Sequence, residues 1–477
     1  MNAKILKTFL SASILFSSAV FTPSIIAKAR NSADTENDII IKSELARVNK
    51  IDKNIHIVNY TKIIEDIHKH KYLLICFDNM YSIIDLRYLI STETRWGDIS
   101  QYQESSILTY VPCKGIFEKV NNNSFLEIST KKHYSFEDIK DFEFNLYLPK
   151  DSLFKQEQLE KRRLEVKSLS RSSIPKNGEK PNPYAIIPDA DIWHGSKRTF
   201  ISTPNVTDLA DHSWWWLTRD SYSRIGYDED RADEYFDKKI SSGWCCYNAL
   251  SNLILYNELF KHDGLFSDVE YKRFITDDYN PDNLMRYTSP VWKWNKYNDV
   301  AATDSERKTF AYYLHQCNDK NYNNFAAGQT GWAFDQVYKR FIEGKKAKDL
   351  YQPIYSDTRS VAFKKGWEYI TKYKIPVILT TVGVKGNYNK FDHAFVAYGY
   401  DSDTDQFLIT NLWGKKETNA CLLSYYLGAY RYSMFTLYPV NYSDYHSFPK
   451  SYFKYKDSEY TWKEVEAHII YDQSAKV

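Results

Sequence analysis

The segment that most restricts how this chain can fold is an apolar helix with two adjacent cysteines at its beginning, "SSGWCCYNALSNLILYNELFKHDG", residues 241–264. Small and apolar side chains recur there every three or four residues, which predicts one buried helix face. That face consists of Cys246, Ala249, Leu250, Leu253, Ile254 and Asn257. The serines before Gly243 can cap the helix, and Gly264 suits the left-handed position after its end. Cys245 and Cys246 therefore fall in the first turn.

A thiol in the first turn of a helix ionises more easily than a free thiol. The N–H groups there have no intrahelical partner, and the positive end of the helix dipole favours an anion. Many helices nevertheless begin with an inert cysteine. A nucleophile at this position requires a base supplied from elsewhere in the chain.

Two later segments supply candidates for that base and its orienting partner. "IPVILTTVG" (375–383) predicts a buried strand, and "FDHAFVAYGYDSDTDQFLITNLWG" (391–414) predicts two strands joined at residues 401–405. His393 opens the first of these two strands and Asn411 closes the second, so antiparallel pairing would bring them side by side. A carboxamide beside an imidazole holds the ring so that its other nitrogen can face a thiol. Cys245, His393 and Asn411 are the candidate catalytic residues.

The segments "GWC", "DHAFVAYGY" and "NLWG" occur in the order Cys, His, Asn and resemble the active-site segments of papain-fold cysteine peptidases, the clan of papain and streptopain. The helix segment resembles in particular the secreted cysteine peptidases of mycoplasmas. The resemblance covers roughly residues 211–439. It implies an α+β fold in which a papain-like catalytic domain carries the Cys on an N-terminal helix and the His and Asn on an antiparallel sheet or barrel.

The resemblance also implies the role of each residue. It makes Cys245 the nucleophile, His393 the acid and base, and Asn411 the orienting residue, with the Trp413 indole shielding their contact. Two positions depart from the papain pattern. Leucine stands where papain has the serine of its N-S-W-G segment, and Lys239 occupies the place of the glutamine that usually donates into the oxyanion hole. The sequence therefore does not identify the second hydrogen-bond donor of the oxyanion hole, besides the Cys245 backbone N–H.

Composition shifts divide the chain into five predicted parts. We expect a signal peptide at 1–29, an N-terminal α+β region at 30–167, a linker at 168–205, the peptidase domain at 206–445 and a tail at 446–477. The N-terminal region contains the strand-like runs "YLLICF", "SILTYV" and "FEFNLYL" and a helical run at 154–166, which we expect to be a solvated helix. Either a propeptide or an accessory domain fits this region.

The first residues have the order of a secretory signal. Lys4 and Lys7 precede an uncharged stretch from Thr8 to Ala27, and a small-x-small site ends at Ala29. A secreted or extracellular surface protein is the expectation. An uncleaved membrane anchor remains the alternative, because the 20 uncharged residues are just enough to span a bilayer.

Charge and cysteine spacing argue against several other classes of protein. The formal net charge is only +2, and the signal segment contributes lysines alone, so no basic excess points to nucleic acid. No Gly-rich phosphate loop, H-E-x-x-H or C-x-x-C occurs, and no cofactor or metal is implied. Cys76 and Cys421 lie in apolar runs and are predicted to be buried free thiols, and the Trp214–Trp216 run is expected mainly in the core.

Three functions are compatible with these residues. The leading hypothesis is a secreted or surface cysteine peptidase that hydrolyses peptide bonds in a protein or peptide substrate through a thioester acyl-enzyme. A transglutaminase-like acyl transferase would use the same triad. A catalytically dead papain-fold binding protein is the third, and the intact set of Cys, His and Asn argues against it.

Overall fold

The structure is a computed structural model that describes part of the chain. The described residues are 35–52, 56–102, 106–112, 114–129, 131–140, 145–146, 153–169, 205–210, 216, 244–261, 264–267, 270, 310–317, 330–382, 393–410, 420–428, 431–440, 453–455 and 458–460.

The first part of the described chain is a sheet covered by two long helices, α1 (Glu36–Asp52) and α3 (Phe154–Leu169), which pack against each other. Its other elements are β1 (Tyr60–Asp66), β2 (Lys71–Cys76), β3 (Met80–Asp85), β4 (Ile90–Trp96), β5 (Leu108–Val111), β6 (Gly115–Asn121), β7 (Ser124–Glu127), β8 (His133–Ser135), α2 (Phe136–Ile139) and β9 (Asn145–Leu146). Strand β2 is buried on both faces because successive side chains enter different cores. Leu73 and Ile75 join the main core, whereas Leu74 and Cys76 join a second one.

In its described residues, the second part combines strands with four α-helices. Its elements are β10 (Asp208–Leu209), α4 (Trp244–Phe260), α5 (Phe310–Cys317), α6 (Gly331–Phe341), β11 (Tyr351–Ser356), α7 (Arg359–Tyr373), β12 (Val377–Val382), β13 (His393–Asp401), β14 (Gln406–Thr410), β15 (Ala420–Ser424), β16 (Leu427–Gly428), β17 (Arg431–Pro439), β18 (Phe453–Tyr455) and β19 (Ser458–Tyr460). The predicted strands at 375–383 and 391–410 are confirmed by β12, β13 and β14.

One sheet runs through both parts. Among the described residues, fifteen strands join in the order β11-β17-β12-β13-β14-β15-β4-β3-β2-β1-β5-β6-β7-β8, with β10 added beside β13. Nearly all neighbours are antiparallel, and the exception is β1 beside β5. The junction is the pair β15–β4, in which Cys421, Leu422 and Leu423 align with Arg95, Thr94 and Glu93. The expected α+β class is thus present, and its sheet extends across the predicted linker.

Two helices cover opposite faces of the strands β12 to β14. Alternate residues Ala394, Val396 and Tyr398 of β13 join the core that contains α4. Phe395 and Ala397, between them, join the core that contains α7. This alternation is the normal consequence of the period of two in a strand. It fixes α4 on one face of the sheet.

Helix α4 is more deeply buried than its sequence pattern predicts. All six residues of the predicted face are inaccessible, but so are the polar residues of the other faces, including Asn248, Ser251 and Asn252. The reason is that α5 and α6 pack on the helix in addition to β12, β13 and β17. The short polar side chains bond within the helix: the Ser251 hydroxyl and Asn252 amide both donate to the Asn248 carbonyl.

The expectation that helix α3 is a solvated helix is wrong for one of its faces. Phe154 is buried at its start, and Arg162 is buried in a cluster of charges against α1. Leu164, which the apolar spacing would place inward, is 64% exposed. The face of α3 that meets α1 therefore carries a fully paired guanidinium, and Leu164, two residues further on, lies about 200° around the helix.

Several further predictions can be compared with the structure. Trp216 is fully buried and lies beside the rings of Tyr256 and Tyr398, and the free thiols of Cys76 and Cys421 are buried, as expected. The signal segment and nearly all of the predicted linker lie outside the described residues. No helix in the described part of the chain combines the length and the apolar character needed to cross a membrane.

Candidate active site

The first turn of α4 contains two thiols in different surroundings. Helix α4 begins at Trp244, so Cys245 and Cys246 occupy its first positions. Cys246 is completely buried in the main core, whereas Cys245 is only partly buried at the edge of that core. Of the two, Cys245 is therefore the thiol that a substrate can reach.

His393 lies at the beginning of β13, the strand that packs against α4. It aligns with Thr381 of β12, and its ring is 4% exposed. The His393 ring lies 6.1 Å from the Phe395 ring, centroid to centroid. The strand position and the neighbouring Phe395 ring thus hold the imidazole in place.

The structure brings Cys245 and His393 together although 147 residues separate them in the chain. His393, by hydrogen bonding and by its charge, and the backbone N–H of Ala394 both lower the pKa of the Cys245 thiol. The neighbouring Cys246 thiol lowers that pKa further. The sulfur is therefore surrounded by groups that stabilise its anion.

These contacts lower the pKa of the Cys245 thiol well below its ordinary value. The hydrogen bond from Cys246 contributes most, burial opposes it, and the hydrogen bond and charge of His393 and the Ala394 N–H add to the lowering. Stabilising the charged form lowers the pKa of an acid, and a thiolate is the reactive form of cysteine. The arrangement can therefore present a nucleophilic sulfur beside a group that can donate and accept protons.

The other described thiols with shifted pKa values behave in the opposite way. Burial raises the pKa of Cys76 to about 12 and that of Cys421 to about 12, and it also raises the pKa of Cys317. No histidine is among the groups that shift the pKa of these three thiols. The contrast separates Cys245 from thiols that serve as small core residues.

Asn411 lies outside the described residues, as do Trp413 and Lys239. The described part of β14 ends at Thr410, which aligns with Val396, three residues after His393 on β13. The antiparallel pairing of β13 with β14 was predicted and is present. The assignments of Asn411 as the orienting residue and of Lys239 near the oxyanion hole stay predictions.

Sequence reasoning treated Cys246 only as a candidate core residue. The structure puts it in the core, and its thiol also lowers the pKa of Cys245. The Ala394 N–H was missed altogether, because a backbone donor leaves no mark on a sequence. Within the described residues, no three His, Cys, Asp or Glu side chains converge as a metal site requires.

Comparison with known protein families, with curated proteins and with solved structures gives no match to this chain.

Proposed function

We propose that this protein is a papain-like cysteine peptidase that cleaves peptide bonds in extracellular protein or peptide substrates. The observation that carries the proposal is the position of Cys245 beside His393, whose hydrogen bonding and charge lower the pKa of the thiol. It joins a helix N-terminus to the first residue of a buried strand, and the chain order Cys, His, Asn agrees with it. The signal-like segment at 1–29 supports action outside the cell.

The reaction begins with attack of the Cys245 thiolate on the substrate carbonyl carbon. The resulting oxyanion accepts a hydrogen bond from the Cys245 backbone N–H, with a second donor still to be identified. His393, as imidazolium, donates its proton to the departing amine, and a thioester remains on Cys245. His393 then takes a proton from water, the hydroxide attacks the thioester, and the acid product leaves with the thiolate regenerated.

The lowered pKa of Cys245 argues for an active enzyme rather than a binding protein on a dead scaffold. A scaffold without chemistry has no need for a stabilised thiolate, and a buried thiol ordinarily has a raised pKa, as Cys76 and Cys421 do. Hydrolase and acyl transferase use the same groups up to the thioester. They differ only in whether water or an amine accepts the acyl group.

The test uses the purified chain without residues 1–29 and a mixture of extracellular proteins. New protein termini are identified by mass spectrometry, with and without a thiol alkylator. We expect new termini that disappear after alkylation and in Cys245→Ala, whereas Cys317→Ala, which removes a partly buried thiol from another helix, retains the activity.

A labelled primary amine, added in a parallel reaction, separates the two acyl acceptors. Incorporation of the amine without new termini would identify an acyl transferase. If wild type and Cys245→Ala give the same termini, the peptidase proposal is wrong.

A further inference from the structure

The N-terminal part of the chain, α1 to α3, and the second part, β10 to β19, share one hydrophobic core. A single buried cluster contains residues of α1, β2 and α4, among them Ile40, Val48, Ile75, Leu250 and Leu253. These five side chains are fully buried. Separating the two parts would divide the core and expose apolar side chains on both sides, which is unfavourable in water.

The backbone also joins the two parts, at the strand pairs β15–β4 and β16–β9. Just before β10, the Asn205 N–H donates to the Ile51 carbonyl in the last turn of α1, at 2.8 Å. Backbone N–H and C=O groups inside a protein cost free energy when they lose their partners. Separation would therefore leave strand edges of both parts with unpaired groups.

Buried side chains reinforce the same interface. Arg47 of α1 donates to the Gln406 side chain of β14 at 3.0 Å, and both residues are buried. At the other end of the interface, the rings of Phe154 in α3 and Tyr426 lie 5.3 Å apart, centroid to centroid, in an edge-to-face arrangement. A shared core with paired strands and buried polar contacts is typical of interfaces between permanently associated chains.

We propose that the N-terminal part stays bound to the second part when the chain between Leu169 and Asn205 is cut, so that the processed protein is a non-covalent complex of two chains. Most of the predicted linker lies in that interval, and exposed linkers are where proteases cut most readily. The inference does not rest on the proposed function, because any protease could make the cut.

Two other arrangements make different predictions. A propeptide that is released by the cut would leave the second part as a separate protein. An interface held only by surface charges would separate when salt screens them. The ion pairs Lys50–Asp403 and Lys161–Asp405 are at least one-quarter exposed on each side chain, so they are open to this screening. The shared core is not weakened by salt.

The experiment inserts the recognition sequence of a site-specific protease between residues 170 and 204 of the chain without residues 1–29. The chain carries an affinity tag at its N-terminus, and Cys245→Ala prevents self-cleavage. The folded protein is cut to completion and captured through the tag. We expect the second fragment to be retained in equal amount, both at low salt and in about 1 M NaCl. A scrambled recognition sequence provides the uncut control.

Release of the second fragment at low salt would overturn the inference. Release in high salt alone would also overturn it, because surface charges and not the core would then hold the interface. Thermal melting of the cut protein should show one cooperative transition, and two separate transitions would show that the parts are independent. The peptidase proposal fails separately: retained fragments in a protein that cleaves no substrate would leave this inference standing, and cleavage by a protein whose fragments separate would do the reverse.

Discussion

The N-terminal part of the chain and the Cys245 site both bury ionisable groups against the same sheet, but they use them differently. In the N-terminal part, Glu44 of α1 lies between Arg47, at 2.5 Å, and Arg162 of α3, at 2.9 Å. All three side chains are buried and paired with one another. At the site, Cys245 is only partly buried, and His393 and the Ala394 N–H lower the pKa of its thiol. Full burial with mutual pairing indicates structure, whereas a stabilised charge on a partly exposed residue indicates chemistry.

The buried charge cluster of Glu44, Arg47 and Arg162 also connects the N-terminal part to the second part of the chain. Arg47 donates to the Gln406 side chain of β14 at 3.0 Å, and Gln406 donates to the Ser91 carbonyl of β4 at 3.2 Å. Lys50 of α1 forms an ion pair with Asp403 in the turn between β13 and β14. These contacts surround the β15–β4 junction, so the strands that follow His393 are supported by the N-terminal part.

The largest effect should come from removing the N-terminal part. A chain that begins at Tyr184 would leave the edge of β15 unpaired and would leave Gln406, which is buried, without Arg47 and Ser91. Unpaired strand edges and buried polar groups without partners favour aggregation and unfolding. We expect little soluble protein and no cooperative melting, compared with a chain that lacks only residues 1–29.

A shortened chain that folds and is active would instead identify the N-terminal part as a propeptide. A propeptide that can be released would give a shortened chain that folds, cleaves faster than the longer one and is inhibited when the separate N-terminal fragment is added. Melting curves and cleavage rates of the two chains, with and without the fragment, distinguish these cases. A folded shortened chain would show that the second part does not need the N-terminal part for its stability.

The second largest effect should come from His393, whose loss should change the reactivity of Cys245 much more than the stability of the fold. His393→Ala removes the hydrogen bond and the charge that act on Cys245. A thiol with the ordinary pKa of about 8.5 is almost entirely protonated at pH 6, so we expect alkylation of Cys245 at that pH to fall about a hundredfold. The melting temperature should change little by comparison. Unchanged alkylation on the acid side would show that the imidazole does not ionise the thiol.

The matched change in the N-terminal part is Glu44→Gln. Burial alone would raise the pKa of Glu44, but Arg47 and Arg162 outweigh burial and lower it to about 2. Removing the carboxylate leaves two buried guanidinium groups uncompensated, which costs about 3–5 kcal/mol of unfolding free energy. Glu36→Gln, at an exposed ion pair with Lys155, should cost less than about 1 kcal/mol.

The pH dependence of Glu44 follows from its lowered pKa. An acid with a lower pKa in the folded state contributes stability that is present above its unfolded pKa of 4.5 and is lost as pH falls toward 2. Denaturant unfolding of wild type and Glu44→Gln should therefore differ most at neutral pH and converge in acid. Alkylation of Cys245 in folded Glu44→Gln should equal wild type. A changed alkylation profile would mean that the two groups are not functionally separate.

The local elements of the site could be predicted from sequence, because they depend on short-range patterns. The three- and four-residue spacing gave α4, and alternating or continuous apolar runs gave β12, β13 and β14. The pairing of β4 with β15 could not be predicted, since residues 95 and 421 carry no mark of each other in the chain. The inward position of Arg162 and outward position of Leu164 were missed for the same reason: they depend on Glu44, far away in sequence.

The smallest effect concerns Glu165, on α3 beside the charge cluster. Burial raises its pKa to about 7, and Glu44 adds to the rise while Arg162 opposes it. An acid whose pKa is raised in the folded state destabilises that state as pH rises from 4.5 to about 7. Glu165→Gln should therefore stabilise the protein by about 1–2 kcal/mol at pH 8, allowing for solvent screening, and by nothing at pH 4.

Glu160→Gln, on the exposed side of α3, should show no such trend. Melting temperatures from pH 4 to pH 8 measure the difference, and a stabilisation that is equal at both ends would show that Glu165 does not titrate in this range.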